Sequence, residues 1–167
     1  EDQTGCQKTL YTFIPTSKLA IDLDRTEDLV ETSVNGGTAP YSIAWHDQTL
    51  GGERTLSQEE TYSMVVMDAQ GCQQLLLSPP ILKSSSGQTS SSFVAHWKKV
   101  PSASGYIVQV ARDEGFNQLL AGYEYVQLEG LDWLEIDNLL DSETYFYRVA
   151  AYSADARSDF SASKSIQ

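Results

Sequence analysis

The spacing of apolar residues restricts the possible folds of this chain more than any other feature. Apolar and polar residues alternate in short runs. One run contains Tyr41, Ile43 and Trp45, and another extends from Tyr145 to Ala151. Alternation with a period of two places one set of side chains on one face of a strand. Gly-rich and Pro-containing turns separate the runs. Almost no segment has apolar residues at the spacing of a helix. The pattern predicts an all-β sandwich or barrel.

The triplet Ser78-Pro79-Pro80 interrupts the alternation near the middle of the chain. Consecutive prolines favour an extended backbone and have no N–H to donate to a sheet. A length of 167 residues fits one large β domain or two small ones. The interruption favours two, at residues 1–78 and 79–167. A linker this short predicts a fixed rather than freely swinging arrangement.

Charge and hydropathy exclude two classes of partner. The chain has 11 Lys and Arg against 23 Asp and Glu, which gives a formal net charge of −12. So acidic a chain repels a phosphate backbone, so we expect no nucleic-acid partner. No apolar run approaches the roughly 18–20 residues that a membrane span needs, so none is expected in this chain. The first residue is not Met, as in a processed chain or a piece of a longer one.

The second half of the chain resembles a fibronectin type III domain. The residues that carry the resemblance are Trp97, the turn at residues 100–106, and the Thr-Tyr-x-Tyr-Arg-Val stretch within residues 139–151. The resemblance covers residues 81–167 and implies seven strands in two sheets, with Trp97 in the core. It also implies that Tyr145 is a tyrosine-corner residue, whose hydroxyl bonds the backbone near Leu139.

The first half resembles bacterial adhesin repeats of the SprB type, which are PKD-like. The pattern is Gly-Gly-x-x-Pro-Tyr at residues 36–41, followed by Trp45, and then Thr-Tyr at 61–62 leading to Asp68 and Gly-Cys at 71–72. Together the two resemblances imply two tandem immunoglobulin-like β-sandwich domains at an extracellular or cell-surface location. The two cysteines form either one disulfide or two unrelated thiols. The repeat family implies a disulfide between Cys6 and Cys72.

Candidate catalytic and metal-binding residues are few. His46 and Asp47 are neighbours, and adjacent strand residues point to opposite faces, so they cannot orient each other for acid–base chemistry. His96 lies between two core-facing residues and points outward without a partner nearby in sequence. We therefore expect no enzyme activity, no catalytic residue and no cofactor.

The acidic segment between Asp22 and Asp28 leaves one alternative open. Asp22 and Asp24 share a face in an extended backbone, and Glu27 and Asp28 follow. These oxygens are of the kind that Ca²⁺ prefers, but their spacing matches no known calcium loop. We expect a solvated acidic loop without a metal.

The resemblance to fibronectin type III domains pairs two strands whose outward residues include Ile107, Phe146 and Tyr152. We expect these three residues to form an exposed apolar patch, of the kind that marks interaction sites. Alternatively, the patch packs against the first module or is scattered surface apolarity.

The sequence favours a non-catalytic pair of modules that acts as a spacer and an adhesion or protein-interaction unit in a larger bacterial protein. Its partner is a protein or a surface glycan. The alternative hypothesis is an accessory or carbohydrate-binding portion of a secreted enzyme that processes polysaccharides.

We predict that the intact mass of the chain rises on reduction by about 2 Da, the two hydrogens that a disulfide lacks relative to its thiols. Mass spectrometry with and without reductant measures this difference. An unchanged mass would show that Cys6 and Cys72 are free thiols.

Overall fold

A computed structural model describes residues 19–167, within which every regular element is a β-strand. Residues 19–78, called the first unit below, contain β1 (Ala20–Thr26), β2 (Leu29–Asn35), β3 (Ser42–Trp45), β4 (Glu53–Thr55), β5 (Ser63–Met67) and β6 (Gln73–Leu77). Residues 79–167, the second unit, contain β7 (Phe93–His96), β8 (Gly105–Ala111), β9 (Val126–Glu129), β10 (Trp133–Ile136), β11 (Tyr145–Tyr152) and β12 (Lys164–Ile166). The all-β prediction is confirmed.

The first unit consists of two antiparallel sheets, with strand orders β1-β2-β4 and β3-β5-β6. Alternate side chains of both sheets meet in one apolar cluster, as in a sandwich. Its buried members are Val30, Trp45, Leu56, Tyr62 and Met64. The alternating runs that contain Trp45 and Met64 therefore face the core, as the sequence predicts.

The carboxylate of Asp68 holds two turns of the first unit together. It accepts hydrogen bonds from the backbone N–H groups of Thr38 at 3.0 Å, Gln70 at 2.9 Å and Cys72 at 2.9 Å. Burial of the carboxylate opposes ionisation, but these N–H donors outweigh it and hold the pKa of Asp68 below its usual value. Gly37 has a φ of +66°, and a Cβ there would lie 2.8 Å from Oδ2 of Asp68. Glycine is therefore required at this position.

The second unit is also built from antiparallel sheets, with strand orders β10-β7 and β12-β11-β8-β9. Trp97 is fully buried and its ring centroid lies 5.4 Å from that of Tyr106. Phe93 and Tyr147 form a second ring contact at 5.4 Å. The placement of Trp97 in the core is thus confirmed.

Two buried tyrosines of β11 differ in how their hydroxyls are bonded. The backbone N–H of Leu140 donates to the Tyr145 hydroxyl at 3.0 Å, which is the predicted tyrosine corner. The Tyr147 hydroxyl is buried and has no hydrogen-bond partner among the described residues. Burial raises the pKa of Tyr147 to about 12.

This contrast predicts opposite effects of the same small change. Tyr145→Phe removes the acceptor of the Leu140 N–H, and we expect it to lower the free energy of unfolding by about 1 kcal/mol. Tyr147→Phe removes a buried hydroxyl that has no partner, so the free energy of unfolding should stay the same or rise. Urea unfolding of both variants measures the difference. A loss for Tyr147→Phe as large as that for Tyr145→Phe would contradict the assignment.

Candidate functional site: the junction between the two units

The last strand of the first unit packs against apolar residues on both of its faces. Leu76 lies opposite Met64 of the neighbouring strand β5 and packs against the core of the first unit. Leu77 is 4% exposed and belongs to the core cluster of the second unit, against which Leu75 also packs. Successive strand residues point to opposite faces, so the run of leucines contributes to two cores at once.

Polar contacts surround these leucines. The Thr61 hydroxyl donates to the backbone carbonyl of Lys99 at 2.7 Å, and the hydroxyls of Ser63 and Ser102 lie 3.0 Å apart. The Lys98 ammonium donates to the backbone carbonyl of Glu59 at 2.6 Å. The carboxylate of Glu59 lies farther from this ammonium, at 3.9 Å, and is exposed, so the ion pair adds little.

The chain between the units is fixed by its own hydrogen bonds. Ser78 is buried, its N–H donates to the carbonyl of Tyr62 at 2.9 Å, and its hydroxyl accepts from the N–H of Tyr62 at 2.9 Å. Pro80 is buried as well. The N–H of Lys98 then donates to the carbonyl of Ile81 at 2.8 Å. The segment after β6 is therefore attached to both units over its short length.

The alternation of apolar and polar residues does not predict that β6 contacts apolar residues on both faces. The signal was present, because three successive leucines replace the alternation that a strand with one solvated face shows. A continuous apolar run is typical of a strand buried on both sides.

The expected exposure of Ile107 and Tyr152 is wrong. Both point outward from the sheet as predicted, yet Ile107 is 0% and Tyr152 7% exposed. They form a cluster with Ala150, against which Phe160 packs from the segment that follows β11. Phe146 is half-buried on the same strand. The region therefore offers no continuous exposed apolar patch.

The ring of Tyr152 in this outer cluster lies close to the backbone of Gly105. A Cβ on Gly105 would lie 2.5 Å from the Tyr152 hydroxyl oxygen and 2.2 Å from the carbonyl oxygen of Leu128. Only glycine fits there, so the Tyr152 side chain lies across β8 rather than extending into solvent.

The two histidines lie apart from any catalytic arrangement. His46 is exposed, and the neighbouring Asp47 carboxylate pairs instead with the guanidinium of Arg54 at 2.7 and 2.8 Å. Hydrogen bonds from Arg54 and Thr49 hold the pKa of Asp47 far below its usual range. His96, for which the sequence shows no partner nearby along the chain, lies with Nε2 2.8 Å from the hydroxyl of Ser86, ten residues away.

The acidic segment belongs largely to a strand rather than to the expected loop. Asp22 and Asp24 lie on β1, both exposed, and the Asn35 amide donates to Asp22 at 3.2 Å. Ile21 and Leu23 alternate with them and pack toward the core, which is why the segment is extended. Within residues 19–167, no three or more His, Cys, Asp or Glu side chains are grouped so that they could hold a metal ion.

Two further predictions concern cysteine and the membrane. Cys6, half of the predicted disulfide with Cys72, lies outside the described residues, so the pairing stays a prediction. Cys72, the cysteine within residues 19–167, is not a free thiol. That part also contains no helix of the length and apolarity needed to cross a membrane.

Comparisons with known proteins concern the fold alone. No protein-family model matches the sequence, and no curated protein matches it. Among solved structures, a segment of two fibronectin type III domains from chicken tenascin has 13% sequence identity and a TM-score of 0.45, over 89% of this chain and 97% of that chain. The FN5 domain of Drosophila Lar has 21% identity and a TM-score of 0.42, over 53% of this chain and 92% of that chain.

We predict that Leu77→Ala destabilises the second unit although Leu77 belongs to a strand of the first. Truncation of a buried leucine costs about 2–5 kcal/mol. Unfolding in urea, followed through the separate nuclear magnetic resonance signals of the indole N–H groups of Trp45 in the first unit and Trp97 in the second, distinguishes the two effects. Leu50→Ala is the matched control, because Leu50 is 78% exposed. An effect of Leu77→Ala confined to the first unit would contradict the shared burial.

Proposed function

We propose that this chain is a non-catalytic pair of β-sandwich modules, residues 1–78 and 79–167, that serves as a stiff spacer and interaction unit. The proposal places it outside the cell or at the cell surface, within a larger bacterial protein. The observation that supports it best is the junction, where Leu75 and Leu77 of one unit pack against the core of the other.

The energetics of the junction favour a spacer. Separation of the units would expose both leucines. Exposure of a fully buried leucine such as Leu77 costs about 1.5–3 kcal/mol, and the partly buried Leu75 adds a smaller amount. A total of about 3 kcal/mol or more keeps an open form below roughly one per cent of molecules. The hydrogen bond from Thr61 to Lys99 and the contact between Ser63 and Ser102 also depend on the closed arrangement.

The resemblances support the rest of the proposal. The first unit carries the adhesin-repeat pattern, and its Asp68 and Gly37 build the turns of that pattern. The second unit carries the fibronectin type III pattern. Modules of that type commonly act as spacers or interaction units. A fold of this kind hosts many functions, so the partner must be sought by binding experiments.

Residual dipolar couplings test the spacer directly. We expect the couplings of both units, measured in one sample, to fit a single alignment tensor. A double variant, Leu75→Ser with Leu77→Ser, should require two different tensors while each unit keeps its strand pairing. Leu50→Ser serves as the control and should behave like the unaltered chain, because its side chain is exposed.

Two results would contradict the proposal. Different alignment tensors for the two units of the unaltered chain would rule out a stiff spacer. Release of soluble fragments from a polysaccharide or protein polymer by the purified chain would rule out a non-catalytic role.

A further inference from the structure

The outer face of the second unit holds an arginine packed against two aromatic rings. The guanidinium carbon of Arg148 lies 4.0 Å from the ring centroid of Phe116 and 4.3 Å from that of Phe160. Phe116 comes from the turn after β8, and Phe160 from the segment between β11 and β12. Arginine stacks on aromatic faces and is weakly hydrated. The rings therefore leave mainly the edges of the guanidinium for polar contacts.

A cross-strand glutamine fixes the orientation of this guanidinium. Gln109 lies opposite Arg148 in the register of β8 and β11, and its Oε1 accepts from Nε at 2.9 Å and from Nη2 at 2.7 Å. The amide nitrogen of Gln109 in turn donates to the carbonyl of Glu124 at 2.9 Å. A guanidinium has five N–H groups in one plane. The Nη1 edge of Arg148 is therefore left with donors that the described residues do not use.

The second charge near this site is also positive. The guanidinium carbon of Arg157 lies 5.0 Å from the centroid of Phe160, so two cations share one ring. Neither has a carboxylate within 4.0 Å among the described residues, whereas Arg54 pairs with Asp47 at 2.7 Å. Burial and the charge of Arg157 lower the pKa of Arg148. Among the described residues, Arg148 and Arg157 are the only two cations that contact the same aromatic ring.

We propose that Arg148 and Arg157, arranged around Phe160, form a binding site for a single carboxylate group of a partner molecule. The fork of N–H donors on a guanidinium matches the two oxygens of a carboxylate. Stacking on the rings and the bond to Gln109 hold Arg148 in place before binding, which reduces the entropy lost on association. The net charge of −12 penalises dianions and long polyanions more than one isolated carboxylate.

Nuclear magnetic resonance of the full chain with acetate as the probe tests the site. At constant ionic strength, we expect saturable shifts of the signals of Arg148, Arg157 and Phe160, and none with acetamide, the neutral analogue. Arg157→Gln should weaken acetate binding about tenfold, as expected when a charge-assisted hydrogen bond is lost. Arg148→Lys keeps the charge but loses the fork, so it should weaken binding as well.

Arg112→Gln is the matched control, because Arg112 is an exposed arginine of the same unit, and it should leave acetate binding unchanged. Shifts that do not saturate, or that acetamide reproduces, would overturn the site. Equal weakening by Arg112→Gln and Arg157→Gln would reduce it to general charge attraction. Sulfate binding tighter than acetate would overturn the choice of a carboxylate. The junction is not probed, so failure here leaves the proposed spacer untouched.

Discussion

The packing of β6 against apolar residues on both faces is the constraint on which the arrangement of this chain depends. A strand presents its side chains alternately to two sides, and here each side meets a different core. Leu76 faces Met64 in the first unit, while Leu77 belongs to the cluster around Trp97 in the second. Both faces of a strand at the end of its sheet thereby contact apolar side chains, and Leu77 is buried. The two units share one apolar element, so separating them would expose it.

Alternation in the sequence was sufficient to locate strands such as those that contain Trp45 and Tyr145. It did not reveal burial that depends on a distant element. The outward direction of Ile107 and Tyr152 followed from the period of two, but their exposure did not. Phe160 covers Ile107, and it comes from a segment without periodicity. For the same reason the sequence did not predict β1. Its exposed aspartates were interpreted as a loop, although the residues between them pack against the core.

Several of the residues that carry the resemblances build turns and corners. Asp68 bonds the backbone N–H of Thr38, Gly37 leaves room for that carboxylate, and Tyr145 bonds the N–H of Leu140. Asp68 and Tyr145 each accept a hydrogen bond from a backbone donor that no sheet partner reaches, which is a requirement of folding rather than of binding. Residues that build turns in this way carry information about architecture and none about a ligand.

Cationic side chains are scarce in this chain. The contacts of an arginine indicate whether it stabilises the fold or is available to bind a partner. The guanidinium of Arg25 donates to the backbone carbonyls of Leu56 and Ser57, and that of Arg54 to the carboxylate of Asp47. Both thereby satisfy acceptors within the fold. Among the described residues, Arg148 contacts only the amide oxygen of Gln109 and aromatic rings, so its charge is held in place without a neutralising carboxylate. A charge that the fold orients but does not neutralise remains free to attract an anion from a partner.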